Sequence, residues 1–385
     1  MLNQRVEFIA DRDAEIFAAI PSAPAVFLLR GADPSSEPYV SKTTNLRKRL
    51  QRLLGVPPEH TKKLNLREFV RWIEYSTTGS DFESSFLLYR VLRDAFPKTY
   101  ADRLRLRFAP LVKLHLENEY PRASITTRLG RLSGRSLYYG PFASRSFAER
   151  FASDSLDFFK MRRCVEDLHP DPSFPGCIYS EMKMCLAPCF QGCTDQEYGA
   201  EVARVQSYFE TKGDSLLRQI SIQRDQASSN TEFENAAALH ARVDKLKSLL
   251  SQLPEIVHRL DLLNGVMVQP SALSGSVNLF NIHASRICGP APFPIQPGNQ
   301  SKSHSMEARI QGALSLIPLE DATTSLAVME NLALLRRWFY RSSRVGEIFF
   351  ADDKGVLPMR HIVRGISRVY RGEHPVTLPK VEISS

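Results

Sequence analysis

Apolar and polar residues alternate along the first hundred residues in a pattern that predicts a small antiparallel sheet with helices. Residues 25–31, AVFLLRG, form an apolar run of strand length, and residues 69–76, FVRWIEYS, form another. A shorter strand is expected at 38–40. Residues 45–54 place leucines on one helical face and basic residues on the other, as in an amphipathic helix. Together these elements predict an α/β domain over residues 15–100.

A further helix of this domain has a well-defined start signal. Ser80 is expected to cap its N-terminus, and Glu83, three residues later, completes the pattern of a capping box. The apolar periodicity continues to Phe96, and Pro97 ends the helix because the residue before a proline is driven out of the helical conformation.

Two more regions follow this domain. Residues 101–195 combine a β segment with a cysteine-rich segment, so we expect a separate small domain that holds a metal or a cluster. Residues 196–252 have the apolar periodicity of helices, and a helical hairpin is expected at 226–250.

The pattern changes again after Pro254. A β-hairpin is expected around residues 265–283, a polar loop at 293–305, and one amphipathic helix at 325–341. The last dozen residues have the composition of a tail. Residues 255–385 are therefore predicted to form a small α+β region, for which the sequence indicates no role.

Composition and charge narrow the class of protein. The chain has 385 residues, of which 43% are hydrophobic and 24% charged, an ordinary balance for a protein of two to four domains. Its formal net charge is +8, and Lys and Arg outnumber Asp and Glu within the first 110 residues, which favours an anionic partner such as nucleic acid. No window has the length and apolar character of a membrane span, and the N-terminus is acidic. We therefore expect a cytoplasmic protein.

Cysteines are concentrated in one segment. Five of the six lie within thirty residues, whereas Cys288 stands alone and is expected to pack as a small apolar residue. Crowded cysteines in a cytoplasmic protein indicate a metal or a cluster before disulfides. The first four are separated by twelve, seven and three residues, and four thiolates suit either tetrahedral zinc or an iron–sulfur cluster: Cys164, Cys177, Cys185 and Cys189.

Three stretches of the N-terminal domain resemble a known family. PAVFLL, YVSKTTNLRKR and FESSFLLYRVLR together resemble the GIY-YIG nuclease domain, in the form found in the C subunit of the bacterial UvrABC excinuclease. In that family a tyrosine lies on the first strand, Tyr-Val-Gly-Lys on the second and Asn-Leu-x-x-Arg on the next helix, and a glutamate on a later helix holds the catalytic Mg²⁺ or Mn²⁺. The resemblance implies catalytic positions at Tyr39 and Arg49, and DNA-binding positions at Lys42, Asn45, Arg47, Lys48 and Arg49.

The sequence departs from that family at three positions. Phe27 stands where the first tyrosine is expected, and Ser41 replaces the glycine. Leu88 stands where the metal-binding glutamate is expected. Glu83 is no substitute, because five residues along a helix is a rotation of about 140°. Since phosphodiester hydrolysis of this type needs a metal held by a carboxylate, the resemblance implies a retained fold with impaired catalysis.

The cysteine segment and the helical hairpin extend the resemblance to the same excinuclease subunit. YYGPF, at 138–142, and LAPC in the cysteine segment resemble that subunit, which implies a four-iron, four-sulfur cluster on the four cysteines, with zinc as the alternative. Cys193 is additional to that set. The segment EFENAA resembles the UVR motif, a hairpin that pairs with the B subunit, and implies partner-binding positions at Phe233, Glu234, Ala236 and Ala237.

The resemblance covers about residues 15–250 and predicts a short UvrC-like protein of bacterial nucleotide excision repair that binds damaged double-stranded DNA and a UvrB-type partner. Two alternatives remain open. The protein could be an active structure-specific endonuclease that uses another metal ligand and incises damaged DNA, or a non-catalytic metal-cluster protein that binds nucleic acid outside repair. No membrane partner is expected.

Overall fold

The structure, a computed structural model, describes residues 2–33, 35–57, 64–130, 134–296, 305–318 and 324–373. The predicted polar loop at 293–305 lies mostly outside the described residues, and the predicted tail at 374–385 lies entirely outside them.

An antiparallel sheet organises the N-terminal region. Its strands lie in the order β1-β4-β2-β3, and the predicted strands are confirmed with small shifts at their ends. The sequence analysis missed β1, because this four-residue edge strand is largely exposed and has no apolar run. The strands are β1 (Gln4–Glu7), β2 (Ala25–Gly31), β3 (Tyr39–Thr43) and β4 (Val70–Thr77).

Four helices accompany this sheet, and they cover both of its faces. Phe27 and Leu29 of β2 share a core with the leucines of α2, whereas Val26 and Leu28 point to the opposite face and pack with Val91 of α3. Because alternate side chains of a strand face opposite sides, this burial on both faces explains why β2 is continuously apolar. The helices are α1 (Asp13–Ala19), α2 (Leu46–Leu54), α3 (Asp81–Ala95) and α4 (Tyr100–Leu104).

The middle region has its own four-stranded sheet, in the order β6-β5-β7-β8. Its strands are β5 (Leu111–Leu114), β6 (Ala123–Thr126), β7 (Leu137–Gly140) and β8 (His258–Arg259), so the chain leaves after β7 and returns to the same sheet at β8. Between them lie α5 (Arg145–Leu156), the cysteine segment with α6 (Ile178–Glu181), and α7 (Asp195–Glu210), which begins with a capping box.

The predicted helical hairpin is present, but it begins earlier than expected. It consists of α8 (Asp214–Ser229) and α9 (Phe233–Ser251), which pack along each other and are joined by a turn at 230–232. The sequence placed the hairpin at 226–250, which covers only the last turn of α8 together with α9. The difference concerns only the extent given to the hairpin motif, since helices were predicted throughout residues 196–252.

The C-terminal region contains the third antiparallel sheet, in the order β11-β10-β9-β12. The predicted hairpin corresponds to its first two strands, and the predicted helix at 325–341 corresponds to α11. None of the described helices combines the length and apolar character needed to cross a membrane. The elements are β9 (Gly265–Pro270), β10 (Ser276–His283), β11 (Arg286–Pro294), α10 (Met306–Ser315), α11 (Ser325–Phe339), β12 (Glu347–Phe350) and α12 (Met359–Tyr370).

Helix α3 is packed between the N-terminal sheet and the C-terminal region. The ring of Phe82 lies edge-on to Phe280 of β10, with centroids 5.2 Å apart, and 5.7 Å from Trp338 of α11. The Tyr89 hydroxyl donates a 2.7 Å hydrogen bond to the buried Glu330 carboxylate. Helix α3, on which the family resemblance places a metal-binding glutamate, is therefore packed on both sides.

Strand β8 introduces a pH-sensitive contact into the middle sheet. The pKa of His258 is lowered to about 4, mainly by burial and also by the nearby Lys212, whose Nζ lies 2.9 Å from His258 Nε2. Since the unfolded chain protonates its histidine near the ordinary value of 6.5, His258 contributes stability above that pH and loses it as the pH falls towards 4.

We expect the free energy of unfolding to fall by about 2 kcal/mol between pH 7 and pH 5 through this one group, since each pKa unit corresponds to about 1.4 kcal/mol. Urea denaturation of the wild type and of His258→Gln at both pH values measures it. The matched control is the exposed His361→Gln, which should lose stability as the wild type does. An equal loss in His258→Gln and the wild type would contradict the assignment.

Candidate functional site

The junction of β3 and α2 brings Tyr39 and Arg49 together. Asn45 caps α2, its side-chain oxygen accepting a 3.0 Å hydrogen bond from the Lys48 backbone N–H, which fixes where the helix begins. Arg49, one turn into α2, then donates from Nη2 to the Tyr39 hydroxyl at 2.9 Å. The two predicted catalytic positions are therefore in direct contact.

Phe27 lies beside this pair on the neighbouring strand. It is completely buried, and its ring centroid is 6.1 Å from that of Tyr39. The register pairs Phe27 with Ser41, so both departures from the family pattern lie directly opposite each other in the sheet. A phenyl ring here contributes packing and offers no proton donor or acceptor. Arg49 Nε is buried and has no hydrogen-bond partner among the described residues.

The remaining basic residues differ in their surroundings. Arg47 donates from Nε to the Ile20 carbonyl at 2.7 Å and from Nη2 to the Ala18 carbonyl at 3.0 Å, which ties α2 to the end of α1. Lys48 is exposed on the solvent side of α2. Of these two predicted DNA-binding residues, Lys48 is displayed to solvent, whereas Arg47 also carries a structural contact that its sequence position did not indicate.

Lys42 takes part in a chain of ion pairs that links the N-terminal and C-terminal regions. Its Nζ lies 2.6 Å from Asp81 Oδ1 and 2.8 Å from the Ser85 hydroxyl, at the start of α3. Arg341, just after α11, also donates to Asp81. Burial acts to raise the pKa of Asp81, but Lys42 and Arg341 outweigh it and hold that pKa below its ordinary value. Sequence reasoning missed this link, because nothing local connects Asp81 with a residue 260 positions away.

Leu88 is half-buried in an apolar cluster under the N-terminal sheet. Its neighbours there include Val26, Leu28 and Val91. Glu83 lies on the same helix but serves its N-terminus, where Glu83 Oε2 accepts a 2.7 Å hydrogen bond from the Gly79 N–H. Burial raises the pKa of Glu83, and its hydrogen bonds to Gly79 and Asn278 oppose that rise. The Ser80 cap is confirmed, but the predicted capping box is incomplete, because the Glu83 carboxylate accepts from Gly79 and not from the Ser80 N–H.

Among the residues that the structure describes, no group of three or more His, Cys, Asp or Glu side chains is arranged to hold a metal ion. The site at the junction of β3 and α2 therefore consists of a tyrosine–arginine pair and an exposed lysine, and an apolar side chain occupies the position predicted for the metal ligand.

The four predicted cysteine ligands nevertheless lie in one neighbourhood. The pKa of the Cys185 thiol is raised to about 11, mainly by burial and in part by Cys164, Cys189 and Cys177, which requires all three to lie within electrostatic range. All four are half-buried thiols outside any disulfide.

Two of these sulfurs already accept hydrogen bonds. The Ala187 N–H donates to Cys185 Sγ at 3.3 Å, and Arg162 Nη1 donates to Cys164 Sγ at 3.4 Å. Such donors stabilise thiolate charge and are a known means of tuning iron–sulfur ligands. The residue types suit a thiolate-held group, but as placed in this structure the four thiols do not form a metal-binding group. Their role as ligands stays a prediction.

The predicted partner-binding residues lie at the exposed end of the helical hairpin. Phe233, the first residue of α9, exposes 68% of its surface, and Glu234 and Ala237 are also exposed, whereas Ala236 is half-buried. Further along the same helix, Val243 is buried in the core. Helix α9 therefore has an exposed first turn, whereas apolar side chains further along it are packed in the core.

Among the comparisons with known proteins, one family model matches the middle region. Residues 110–208 match the model of the middle domain of the UvrC/Cho excinuclease family. The UvrABC system protein C of Rickettsia felis is 26% identical over 272 residues, and that of Rickettsia akari 27% identical over 272 residues; each match covers 70% of this chain and 41% of the relative. The chain thus spans about two fifths of the length of the curated relatives it matches. No solved structure matches it. The chain is therefore similar to the middle domain of the UvrC/Cho excinuclease family over residues 110–208, and to UvrABC system protein C over 70% of its length.

Proposed function

We propose that the chain is a component of bacterial nucleotide excision repair that holds damaged DNA through its N-terminal region and cuts little or not at all. The observation that carries this proposal is the contrast between Arg49 and Leu88. Arg49 keeps its contact with Tyr39 at 2.9 Å, whereas Leu88 packs against aliphatic side chains where a metal-binding carboxylate would be needed. Cationic side chains suffice to hold a phosphate, but this type of hydrolysis also needs the metal.

The basic residues support DNA binding to different degrees. Lys48 is exposed and Arg49 has a buried Nε without a hydrogen-bond partner among the described residues, a donor that a phosphate oxygen would satisfy after a small side-chain shift. Lys42 is paired with Asp81, so DNA contact there requires an exchange of partners. The proposed surface is therefore centred on α2, with Lys42 at its edge.

The cysteine segment is proposed to hold a four-iron, four-sulfur cluster, with zinc as the alternative. Cys164, Cys177, Cys185 and Cys189 would be the ligands, and the Ala187 N–H and the Arg162 guanidinium would stabilise sulfur charge. When bound, the group would cross-link a segment that otherwise contains little regular structure, from Cys164 to the start of α7.

The exposed first turn of α9 is proposed to dock a UvrB-type partner. An exposed phenyl ring beside small alanines allows close helix–helix contact, and aromatic anchors often dominate such interfaces. The proposal is supported by Phe233, which is one of the most exposed large apolar side chains among the described residues.

Phe233→Ala should weaken partner binding about tenfold or more, because a truncated aromatic anchor typically costs at least 1–2 kcal/mol. Calorimetry with a purified UvrB-type protein measures this affinity. A gel-shift experiment, in which the two proteins together further retard a damaged duplex, tests the proposed role in repair. The control is Ile222→Ala, which truncates an exposed apolar residue on α8, the other helix of the same hairpin. Unchanged affinity in Phe233→Ala would remove this site, and no binding by the wild type would favour a role outside repair.

A second function, active incision, is favoured by one observation, the intact Tyr39–Arg49 contact. It would require a metal ligand other than residue 88, and Mg²⁺ or Mn²⁺ would then be needed.

A further inference from the structure

A cavity of about 560 Å³ lies at the joint between α3 and the C-terminal region. Its walls come from α3, β11, α10 and α11, so it is formed only when these segments pack together. Its volume falls within the range of roughly 300–1,000 Å³ found for ligand pockets, which often lie where structural units meet. Neither Tyr39 nor Arg49 lines it, so it is separate from the proposed DNA-holding surface.

Three arginines contribute to the wall of this cavity, and the buried Glu330 carboxylate lies behind it, bonded to the Tyr89 hydroxyl. The described residues that line it include Arg90, Arg93 and Arg286, and none of them is an aspartate or a glutamate. Arg93 donates to the Tyr89 hydroxyl at 3.1 Å and lies over the Tyr89 ring, 5.3 Å from its centroid. Arg90 reaches across to the Gly289 carbonyl at 3.4 Å. These contacts keep two guanidinium groups at the wall, where they would meet an anion with little loss of side-chain entropy.

The wall formed by β11 is shaped by a bulge. The register with β10 shifts between Leu279 and Asn281, which places Gly289 and Pro290 opposite a single residue. Gly289 has φ of 119°, and a Cβ there would lie 3.0 Å from the Leu279 carbonyl oxygen, so only glycine suits this position. Bulges of this kind often lie beside binding sites, where they redirect the backbone.

The other lining groups are mostly apolar. Pro290, Pro292 and Ile317 are among them, and they offer flat or aliphatic surface to an organic body. The side chain of Asn331 is already engaged, because its Nδ2 donates to the Ala327 carbonyl and its Oδ1 accepts from the Ile287 N–H. The cavity therefore combines a cationic wall with apolar surface and provides little that could distinguish one heterocycle from another.

We infer that this cavity binds a nucleotide through its phosphate, with the guanidinium groups of Arg90, Arg93 and Arg286 on the phosphate oxygens and the sugar and base against the apolar wall. Arginine is the side chain best suited to bidentate phosphate recognition. The same chemistry is supplied by a free nucleoside monophosphate and by the 5′-phosphorylated terminal nucleotide of a strand. The inference does not depend on the proposed repair function.

Calorimetric titration of the full chain tests this inference, with dAMP, dCMP, deoxyadenosine and inorganic phosphate as ligands. We expect dAMP and dCMP to bind with affinities within about threefold of each other, deoxyadenosine not to bind, and added salt to weaken binding because the contact is ionic. Arg90→Gln should weaken dAMP binding roughly tenfold, since it removes a charge-assisted hydrogen bond. The matched control is Arg337→Gln, an exposed arginine of α11 outside the cavity, which should bind as the wild type does. Equal melting temperatures establish that both variants are folded.

A short oligonucleotide with and without a 5′-phosphate then identifies the source of the ligand. Competition with dAMP that requires the 5′-phosphate assigns the site to strand ends, and no competition assigns it to free nucleotide. Failure of the folded wild type to bind dAMP, equal binding of deoxyadenosine, or equal weakening by Arg90→Gln and Arg337→Gln would overturn the inference.

Discussion

Cys189→Ser is expected to strip the protein of its iron and of its visible colour. Wild-type protein purified without oxygen should contain about four iron atoms per chain, as a four-iron, four-sulfur cluster requires, and the variant should contain almost none. Cys189 is one of the three thiols that act electrostatically on Cys185, so its loss breaks the four-thiol set. Iron and sulfide analysis together with the visible absorption spectrum measures the change.

Solubility should fall in the same variant. The cysteine segment exposes several large apolar side chains, and without a cross-link holding their backbone they would become available for association: Val165, Phe174, Ile178 and Met182. Light scattering at matched concentrations follows this second effect.

Cys193→Ser is the matched control, because it removes a thiol from the same segment but outside the proposed ligand set. It should keep its iron and its colour. Two results would contradict the cluster assignment: zinc without iron in the wild type, or equal iron content in Cys189→Ser and Cys193→Ser.

The family resemblance assigned Tyr39 and Arg49 to one site, and the structure brings them into contact. These residues are ten positions apart in one strand-to-helix stretch, and the cap at Asn45 fixes the helix start, which explains the contact by local structure. The start of α3 was also predictable, since the Ser80 cap is a local signal, although the Glu83 carboxylate bonds Gly79 instead of completing the capping box.

Contacts between segments that are distant in the chain could not be predicted from the sequence. Asp81 and Arg341 lie 260 residues apart, and the arginine-lined cavity joins α3 to segments some 200 residues later. Strand β8 was also missed, because two residues carry no periodicity and are recognised only by their pairing with β7. Arg47 was correctly placed on a polar helix face, but its hydrogen bonds to the end of α1 depend on packing that the pattern does not encode.

Leu88→Glu is expected to create metal-dependent cutting that the wild type lacks. A carboxylate at this position would restore the family's metal ligand, and a bound divalent ion supplies several kcal/mol of transition-state stabilisation. Cutting at least roughly tenfold above the wild-type background is expected, even though Phe27 still lacks a hydroxyl. The substitution also removes an apolar contact with Val26, Leu28 and Val91, so about 1–2 kcal/mol of stability should be lost.

Leu88→Gln is the matched control for that variant. Glutamine has the size of glutamate and should cause a similar loss of packing, but it carries no charge to hold a divalent ion. Cutting by this variant should therefore stay at the wild-type background. Equal cutting by Leu88→Glu and Leu88→Gln would show that a missing carboxylate at this position is not the cause of impaired catalysis.

The most direct measurement is a nicking assay on a damaged duplex, with Mg²⁺ or Mn²⁺ and the damage-loading partners, in which bound and cleaved DNA are quantified in the same samples. We predict that the wild type retains the duplex without incising it and that Leu88→Glu incises it. Metal-dependent incision by the wild type, abolished by Arg49→Ala, would contradict the account and establish an active nuclease.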